Sequence, residues 1–109
     1  VRTSGNVDER MIAALLDTLG RDSNANVRLA ALEALATHAD VPGAREGLIQ
    51  SLDRQESPLV QLALTDILVG LDAEEAVGHF RNLLRRKDLN DFVRARINDS
   101  LKMLMRTMR

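Results

Sequence analysis

The sequence repeats itself with a period of 33 residues. Four sets of equivalent residues keep this spacing: Asn24, Ser57 and Asn90; Val27, Val60 and Val93; Glu33, Asp66 and Asp99; and Leu35, Leu68 and Leu101. A fixed period of this length is typical of small units that stack, because one such unit cannot bury its apolar face alone. The sequence therefore predicts an array of three similar units, which constrains the fold more than any single motif does.

Each period has the pattern of two amphipathic helices joined by a short turn. Helix starts are predicted at the following capping residues: Asn6 with Glu9, Asn24, Pro42, Ser57 with Pro58, Asp72 with Glu75, and Asn90. Gly20 is predicted to end the first helix. The three units are expected at about residues 6–38, 41–71 and 72–107, within one domain that spans residues 1–109.

Apolar residues recur three and four positions apart within the predicted helices, which is the spacing of one buried helical face. In the second helix of each unit, the predicted buried residues are Val27, Ala30, Ala31, Ala34 and Leu35; Val60, Ala63, Leu64, Ile67, Leu68 and Leu71; and Val93, Ile97, Leu101 and Leu104. The predicted fold class is all-α: a right-handed α-α superhelix of three helical hairpins, with six helices in all.

Composition agrees with helix-on-helix packing. Hydrophobic residues make up 45% of the chain but aromatic residues only 2%, so the core must be built from aliphatic side chains. The chain has no cysteine, which excludes disulfides and thiolate metal sites. The most apolar stretch, residues 59–71, is too short for a membrane span. These properties favour a small helical domain.

The turn and second helix of the first unit resemble the HEAT-repeat family. Residues 22–35 read Asp-Ser-Asn-Ala-Asn-Val-Arg-Leu-Ala-Ala-Leu-Glu-Ala-Leu, and HEAT repeats have an aspartate in the turn before a Val-Arg pair. The third unit keeps Asp88 and Arg94, whereas the second has Gln55 and Gln61 in these places. The resemblance implies that six positions are structural and tie the turns together, as charge-assisted pairs or as neutral glutamine hydrogen bonds: Asp22, Arg28, Gln55, Gln61, Asp88 and Arg94.

A narrower resemblance covers residues 26–35 and 55–66, which are similar to HEAT modules at the end of certain bacterial membrane proteins. Those proteins resemble anti-sigma factors, with a cytoplasmic zinc segment, one membrane-spanning helix and an extracytoplasmic repeat domain. The resemblance implies a non-catalytic protein-interaction scaffold in a membrane-anchored bacterial regulator, located outside the cytoplasm. Without the membrane anchor a cytoplasmic location is expected. The start at Val1 rather than at methionine indicates a piece of a longer protein.

The sequence has no pattern typical of an enzyme. It contains no glycine-rich phosphate loop, no nucleophile elbow and no paired metal ligands at helical spacing. The two histidines, His38 and His79, fall at non-equivalent positions of different units, so packing roles are expected for both. We therefore expect no catalytic residue, no cofactor and no metal.

Charge is distributed unevenly along the chain. Residues 1–76 carry six arginines and thirteen acidic residues, a net charge of −7, whereas residues 77–109 carry nine basic and three acidic residues, a net charge of +6. Three interpretations stay open: solvated helix ends, head-to-tail contact between copies, or an anionic partner. The alternative function is therefore an enzyme-associated or nucleic-acid-binding domain that uses the basic third unit, although the overall charge of −1 disfavours nucleic acid.

The second helices of stacked hairpins commonly line one concave face. On that face Glu33, Asp66 and Asp99 are predicted to form a row about 10 Å apart, the usual spacing of packed helices. Carboxylates so spaced cannot share a metal or a proton, but they could bind a basic peptide. The candidate partner-binding residues, for a protein or peptide partner or for a second copy of the chain, are Glu33, Thr65, Asp66, Asn98, Asp99, Arg85, Arg86 and Lys87.

Overall fold

Six α-helices follow one another along the chain. The computed structural model describes the backbone of residues 3–107 and the side chains of residues 7–106, and no strand occurs in that part. The helices are α1 (Thr3–Arg21), α2 (Ala25–Thr37), α3 (Ala44–Ser51), α4 (Pro58–Gly70), α5 (Val77–Leu84) and α6 (Asp91–Thr107). A short 3-10 turn, Glu74–Ala76, precedes α5. The predicted all-α fold class is confirmed.

Consecutive helices form three hairpins, α1–α2, α3–α4 and α5–α6, which stack in chain order. The second helix of the middle hairpin, α4, packs against both α2 and α6, and α1 packs against α3. The buried apolar side chains of the described residues form one continuous cluster, and Phe80 is the one aromatic residue in it. An aliphatic core of this kind suits an α-α superhelical stack, because small and branched side chains let the helices approach closely.

The second helices α2, α4 and α6 all begin with a hydrogen-bonded cap. Asn24, Ser57 and Asn90 each accept a hydrogen bond from a backbone N–H two or three residues further on, which satisfies a donor that the first helical turn leaves free. Pro58 occupies the first position of α4, where its missing N–H has no cost. These three predicted starts are confirmed, whereas α1 continues one residue past its predicted end at Gly20.

The predicted starts of the first helices are wrong in all three hairpins. α1 begins three residues before Asn6, which therefore lies inside the helix. α3 begins after Gly43, whose φ of 92° is left-handed, so Pro42 stays in the preceding turn. Asp72 has a φ of 55° and does not cap the 3-10 turn, and Glu75 lies within that turn. The turns between hairpins are thus shaped by left-handed backbone rather than by capping side chains.

Burial in the second helices depends on the position of the hairpin in the stack. Val60 and Val93 are fully buried, but the equivalent Val27 is 40% exposed, because no hairpin precedes the first one among the described residues. Conversely, Thr65, which the sequence placed among the candidate partner-binding residues, is fully buried, as is the equivalent Leu32 of the first hairpin. The prediction for Val27 is wrong because the repeat period does not show which unit stands at an end of the stack.

We expect two glycine substitutions to change stability in opposite directions. Gly43→Ala forces a side chain into a left-handed conformation, which costs about 1–2 kcal/mol. Gly78 lies within α5 with open space beside its Cα, so Gly78→Ala should stabilise the fold by about 0.5–1 kcal/mol. Urea unfolding measures both changes, and changes of the same sign would contradict this account of the turn before α3.

Candidate functional site

One buried glutamine contacts the side chains or backbone of neighbouring hairpins. Gln55 lies in the turn between α3 and α4, and only 1% of its surface is exposed. Its amide nitrogen donates to the carbonyl oxygen of Leu19 at 3.0 Å and to the hydroxyl of Ser51 at 3.1 Å. Its side-chain oxygen accepts from Arg28 at 3.4 Å. The Gln55 side chain therefore joins the second hairpin to both helices of the first.

The backbone of the same turn accepts hydrogen bonds from the second and third hairpins. The carbonyl oxygen of Gln55 accepts from Gln61 at 2.8 Å and from Arg86 at 2.9 Å, and Arg86 also donates to the carbonyl oxygen of Asp53. The carbonyl oxygen of Arg86 accepts in turn from Arg94 at 2.9 Å. A continuous set of hydrogen bonds, the turn column, therefore links the three turns through Leu19, Arg28, Ser51, Gln55, Gln61, Arg86 and Arg94.

The predicted aspartate–arginine ion pairs do not form in the part of the chain that the structure describes. Asp22 accepts a hydrogen bond from the backbone two residues further on, and Asp88 is exposed without an ion pair. Arg94 instead donates to the carbonyl oxygens of Leu84 and Arg86. The guanidinium of Arg94 donates to carbonyl groups that have no helical partner at the end of α5 and in the turn after it. Arg94 therefore binds backbone and not a carboxylate.

The departure of the second unit from the repeat pattern has a physical reason. A glutamine side chain donates and accepts, whereas an ionised aspartate or glutamate only accepts. At position 55 the side chain must donate to the carbonyl oxygen of Leu19 and accept from Arg28, which an aspartate cannot do. Gln61 donates to the backbone of Gln55 and not to its side chain, so the neutral bond predicted between the two glutamines takes a different form.

A second set of contacts joins the middle and last hairpins on the other side of the stack. Arg45 of α3 lies 2.7 Å from the carboxylate of Glu75, and it donates to the carbonyl oxygens of Leu71 at 2.9 Å and Asp72 at 3.1 Å. The hydrogen bond from Arg45 is the main cause that lowers the pKa of Glu75, and the same contact raises the pKa of Arg45. Arg45 thereby holds the left-handed turn that leads into α5.

The second helices carry five of the candidate partner-binding residues. Glu33, Asp66, Asn98 and Asp99 are exposed on α2, α4 and α6. Thr65 is fully buried and donates to a carbonyl oxygen one turn earlier in α4 at 2.7 Å. The placement of Thr65 on an exposed binding surface is therefore wrong, because the third hairpin covers this side of α4.

The three adjacent cations after α5 do not share one environment. Arg86 is half-buried in the turn column, where its guanidinium donates to two carbonyl oxygens. Arg85 is exposed and donates to Asn82 at 3.1 Å, and Lys87 is exposed in the turn. Arg86 is thus engaged within the fold, which leaves Arg85 and Lys87 as the accessible members of this group.

An ion pair interrupts the predicted row of carboxylates. Arg96 of α6 lies 2.6 Å from the carboxylate oxygens of Asp66 on α4, and this hydrogen bond is the main cause that raises the pKa of Arg96. Asp99, one turn further along α6, adds a smaller effect in the same direction. Glu33 forms no ion pair with a described residue. On this face the Asp66–Arg96 ion pair therefore lies between the carboxylates of Glu33 and Asp99.

Two exposed apolar side chains lie on the same face and were not predicted. Phe92 is 81% exposed and Leu59 is 51% exposed, at positions 33 residues apart. Each lies seven residues before an exposed aspartate of the same helix, Asp66 or Asp99, and a spacing of nearly two helical turns places both side chains on one side of the helix. That spacing was the available signal. We call this face the second-helix surface and define it by Glu33, Leu59, Asp66, Phe92, Arg96 and Asp99.

The two histidines lie in different surroundings. His79 lies 2.9 Å from the carboxylate of Asp53 in the preceding hairpin, and His38 follows α2 at its C-terminal end. No group of three or more histidine, aspartate or glutamate side chains that could hold a metal ion occurs among the described residues. Within the same part of the chain, no helix is long and apolar enough to cross a membrane.

Comparison with known proteins gives one match. Residues 8–102 match the family model described as HEAT repeats, and this range includes every residue of the turn column and of the second-helix surface. No curated protein and no solved structure matches the chain.

We expect Gln55→Ala to destabilise the protein by about 2–4 kcal/mol, because it leaves a buried carbonyl and a buried hydroxyl without their partner. Gln50→Ala is the matched control, since Gln50 is exposed on α3 and should change stability by less than about 0.5 kcal/mol. Chemical denaturation measures both values. Similar losses for the two variants would contradict the role of Gln55.

Glu75→Gln should reduce stability by less than about 1 kcal/mol at pH 7, because the ion pair with Arg45 is partly exposed to solvent. The folded pKa of Glu75 lies below its ordinary value, so its contribution is present above about pH 4.3 and is lost as the pH falls through the lower folded pKa. The difference between wild type and variant should therefore vanish in acid. Glu46→Gln, at an exposed glutamate without an ion pair among the described residues, is the matched control and should change stability by less than about 0.5 kcal/mol.

Proposed function

Because the chain belongs to the HEAT-repeat family, whose members generally mediate protein–protein interaction and are typically non-catalytic scaffolds, we propose that it binds a partner protein through the second-helix surface. The observation that carries this proposal is the exposure of Phe92, at 81%, in the first turn of α6. Aromatic residues are enriched among the side chains that contribute most to protein interfaces.

The arrangement of the second-helix surface supports a partner of defined chemistry. Leu59 lies two helical turns before Asp66, and Phe92 lies two turns before Asp99, so each helix presents an apolar residue and a carboxylate on one side. Because Arg96 neutralises Asp66, Glu33 and Asp99 are the carboxylates left for a partner. A segment with an apolar anchor for Leu59 and Phe92 and flanking basic residues fits this surface.

Contacts of the third hairpin argue against its use as a nucleic-acid surface. Arg86 and Arg94 donate to backbone carbonyls, and Arg96 pairs with Asp66. Arg81 contacts the sulfur atom of Met105 at 3.7 Å. These contacts leave fewer cations of the third hairpin free to pair with a phosphate backbone than its composition indicates.

The resemblance of residues 26–35 and 55–66 supports a finer proposal. We propose that the scaffold is the extracytoplasmic module of a membrane-anchored bacterial regulator similar to anti-sigma factors. A Cys/His zinc segment and an apolar span in the coding sequence upstream of Val1 would support this placement. A catalytic domain there would contradict it and would favour an enzyme-associated module.

Selection from a random peptide library displayed on phage tests the binding surface. We expect enriched peptides to combine an aromatic or aliphatic residue with lysine or arginine, and we expect Phe92→Ser and Asp99→Lys each to weaken their binding at least about tenfold, as for central interface residues. Both positions are exposed, so neither change should alter stability by more than about 0.5 kcal/mol.

Two matched variants control for exposure and charge. Val7→Ser removes an apolar side chain that is 51% exposed on α1, and Glu46→Lys reverses a charge on α3. Neither residue belongs to the second-helix surface, so both variants should bind like wild type. Peptides whose binding depends on Val7 or Glu46 and not on Phe92 would place the site elsewhere, and selective capture of duplex DNA at low salt would favour the alternative function.

A further inference from the structure

The contacts between hairpins show which side of each hairpin faces its neighbours. The Cα of Gly47 in the second hairpin packs against the side chain of Leu16 in the first, so that a Cβ there would overlap Leu16. Likewise, Arg96 of the third hairpin forms an ion pair with Asp66 of the second, which is the hairpin before it. Position 47 and its equivalents therefore face the preceding hairpin, and position 16 and its equivalents face the following one.

The side of the first hairpin that would face a preceding hairpin is apolar and uncovered. Val27 is 40% exposed, whereas its equivalents in the second and third hairpins are fully buried. Ala14, equivalent to Gly47, and Ala30, equivalent to Ala63, are also exposed, although the sequence predicted burial for Ala30. We call Ala14, Val27 and Ala30 the N-terminal end face. Its small and apolar residues match those that the second hairpin uses to pack against the first.

The opposite end of the stack has polar residues at the corresponding positions. Asn98 of the third hairpin is exposed, whereas its equivalents Leu32 in the first hairpin and Thr65 in the second are fully buried. The burial pattern of the 3-10 turn and α5 follows that of α3 at a spacing of 32 residues, since the fully buried Ala44 and Leu48 correspond to the fully buried Ala76 and Phe80, so the equivalent of Ile49 is Arg81. Ile49 is 4% exposed and Arg81 is exposed. Arg81 and Asn98 form the C-terminal end face together with Met105, which is 47% exposed and whose sulfur atom Arg81 contacts. Polar residues in place of buried apolar ones are typical of the unit that closes a repeat array.

We propose that the N-terminal end face is a docking surface for one further helical hairpin of the same class, and that the C-terminal end face closes the stack. The occupant is a hairpin that presents apolar residues at the positions of Leu16 and Leu32. Its contacts would continue an interface that the chain already forms twice, between the first and second hairpins and between the second and third. This docking surface is separate from the second-helix surface.

The same comparison disfavours a head-to-tail second copy as the occupant. A second copy would offer Arg81 and Asn98 to Val27 and its alanine neighbours, and burying a guanidinium and an amide against apolar side chains without partners is unfavourable. The opposite net charges of the two ends attract at long range, but they do not supply the apolar contacts that this face lacks. The occupant must therefore be apolar on the side that faces the hairpin after it.

Internal duplication of residues 8–40 tests the proposal directly. The insertion preserves the 33-residue register and places the N-terminal end face of the second copy against Leu16 and Leu32 of the first. We expect a higher denaturant midpoint and an m-value larger by about a third, because four hairpins instead of three unfold together. A midpoint that stays the same or falls would overturn the proposal.

Two controls separate docking from a general effect of added length. In the duplicated protein, Val27→Asp in the second copy should remove the gain, whereas the same change in the first copy should have no effect. Duplication of residues 74–106 has the same length but places Arg81 and Asn98 at the new interface, so it should give no gain. An equal gain from both duplications would show that the end faces do not differ as proposed.

The state of the unmodified chain in solution provides an independent test. Sedimentation of wild type and Val27→Asp should give the same molecular mass, because no second copy occupies the N-terminal end face. A dimer that Val27→Asp dissociates would assign this face to a second copy and overturn the choice of occupant. The peptide selection on the second-helix surface does not involve Val27, so its failure would leave this proposal unaffected.

Discussion

The hydrogen bonds of Gln55 are the interaction on which the arrangement of the hairpins depends. Each turn between a first and a second helix leaves carbonyl groups without helical partners, and in a stack these groups lie between hairpins where water cannot serve them. Gln55 donates to the carbonyl oxygen of Leu19, and its own carbonyl oxygen accepts from Gln61 and Arg86. The apolar core supplies attraction between the helices without direction, whereas this column fixes which turn lies against which.

The stacking of the hairpins also determines which residues are accessible to other molecules. Side chains that face a neighbouring hairpin are engaged in contacts within the fold and cannot bind a partner, as Thr65 and Arg86 show. What remains is the outward side of the second helices, with Phe92 and its neighbouring carboxylates, and the two ends of the stack. The ends differ because Val27 continues an apolar pattern that Asn98 interrupts. Interaction through the second-helix surface and growth through the N-terminal end face therefore use different residues.

Much of the fold follows from the sequence, because the 33-residue period and the caps at Asn24, Ser57 and Asn90 express local rules. The turns between hairpins were mispredicted because their left-handed residues, such as Gly43, have no capping pattern. The resemblance implied a structural role for Gln55, but the partners of Gln55 and the role of Arg86 could not be derived, since both depend on which turns meet in space. Phe92 was overlooked because periodicity identifies the buried valine beside it and says nothing about how far a neighbour projects.

The hydrogen bonds of the Gln55 side chain test the central claim most directly, and solution NMR observes them. The account predicts that the side-chain amide protons of Gln55 exchange slowly with solvent and show scalar coupling across the hydrogen bond to the carbonyl carbon of Leu19. The exposed side chain of Gln50 gives the reference for free amide protons in the same spectrum. Amide protons of Gln55 that exchange as fast as those of Gln50, without coupling to Leu19, would contradict the account.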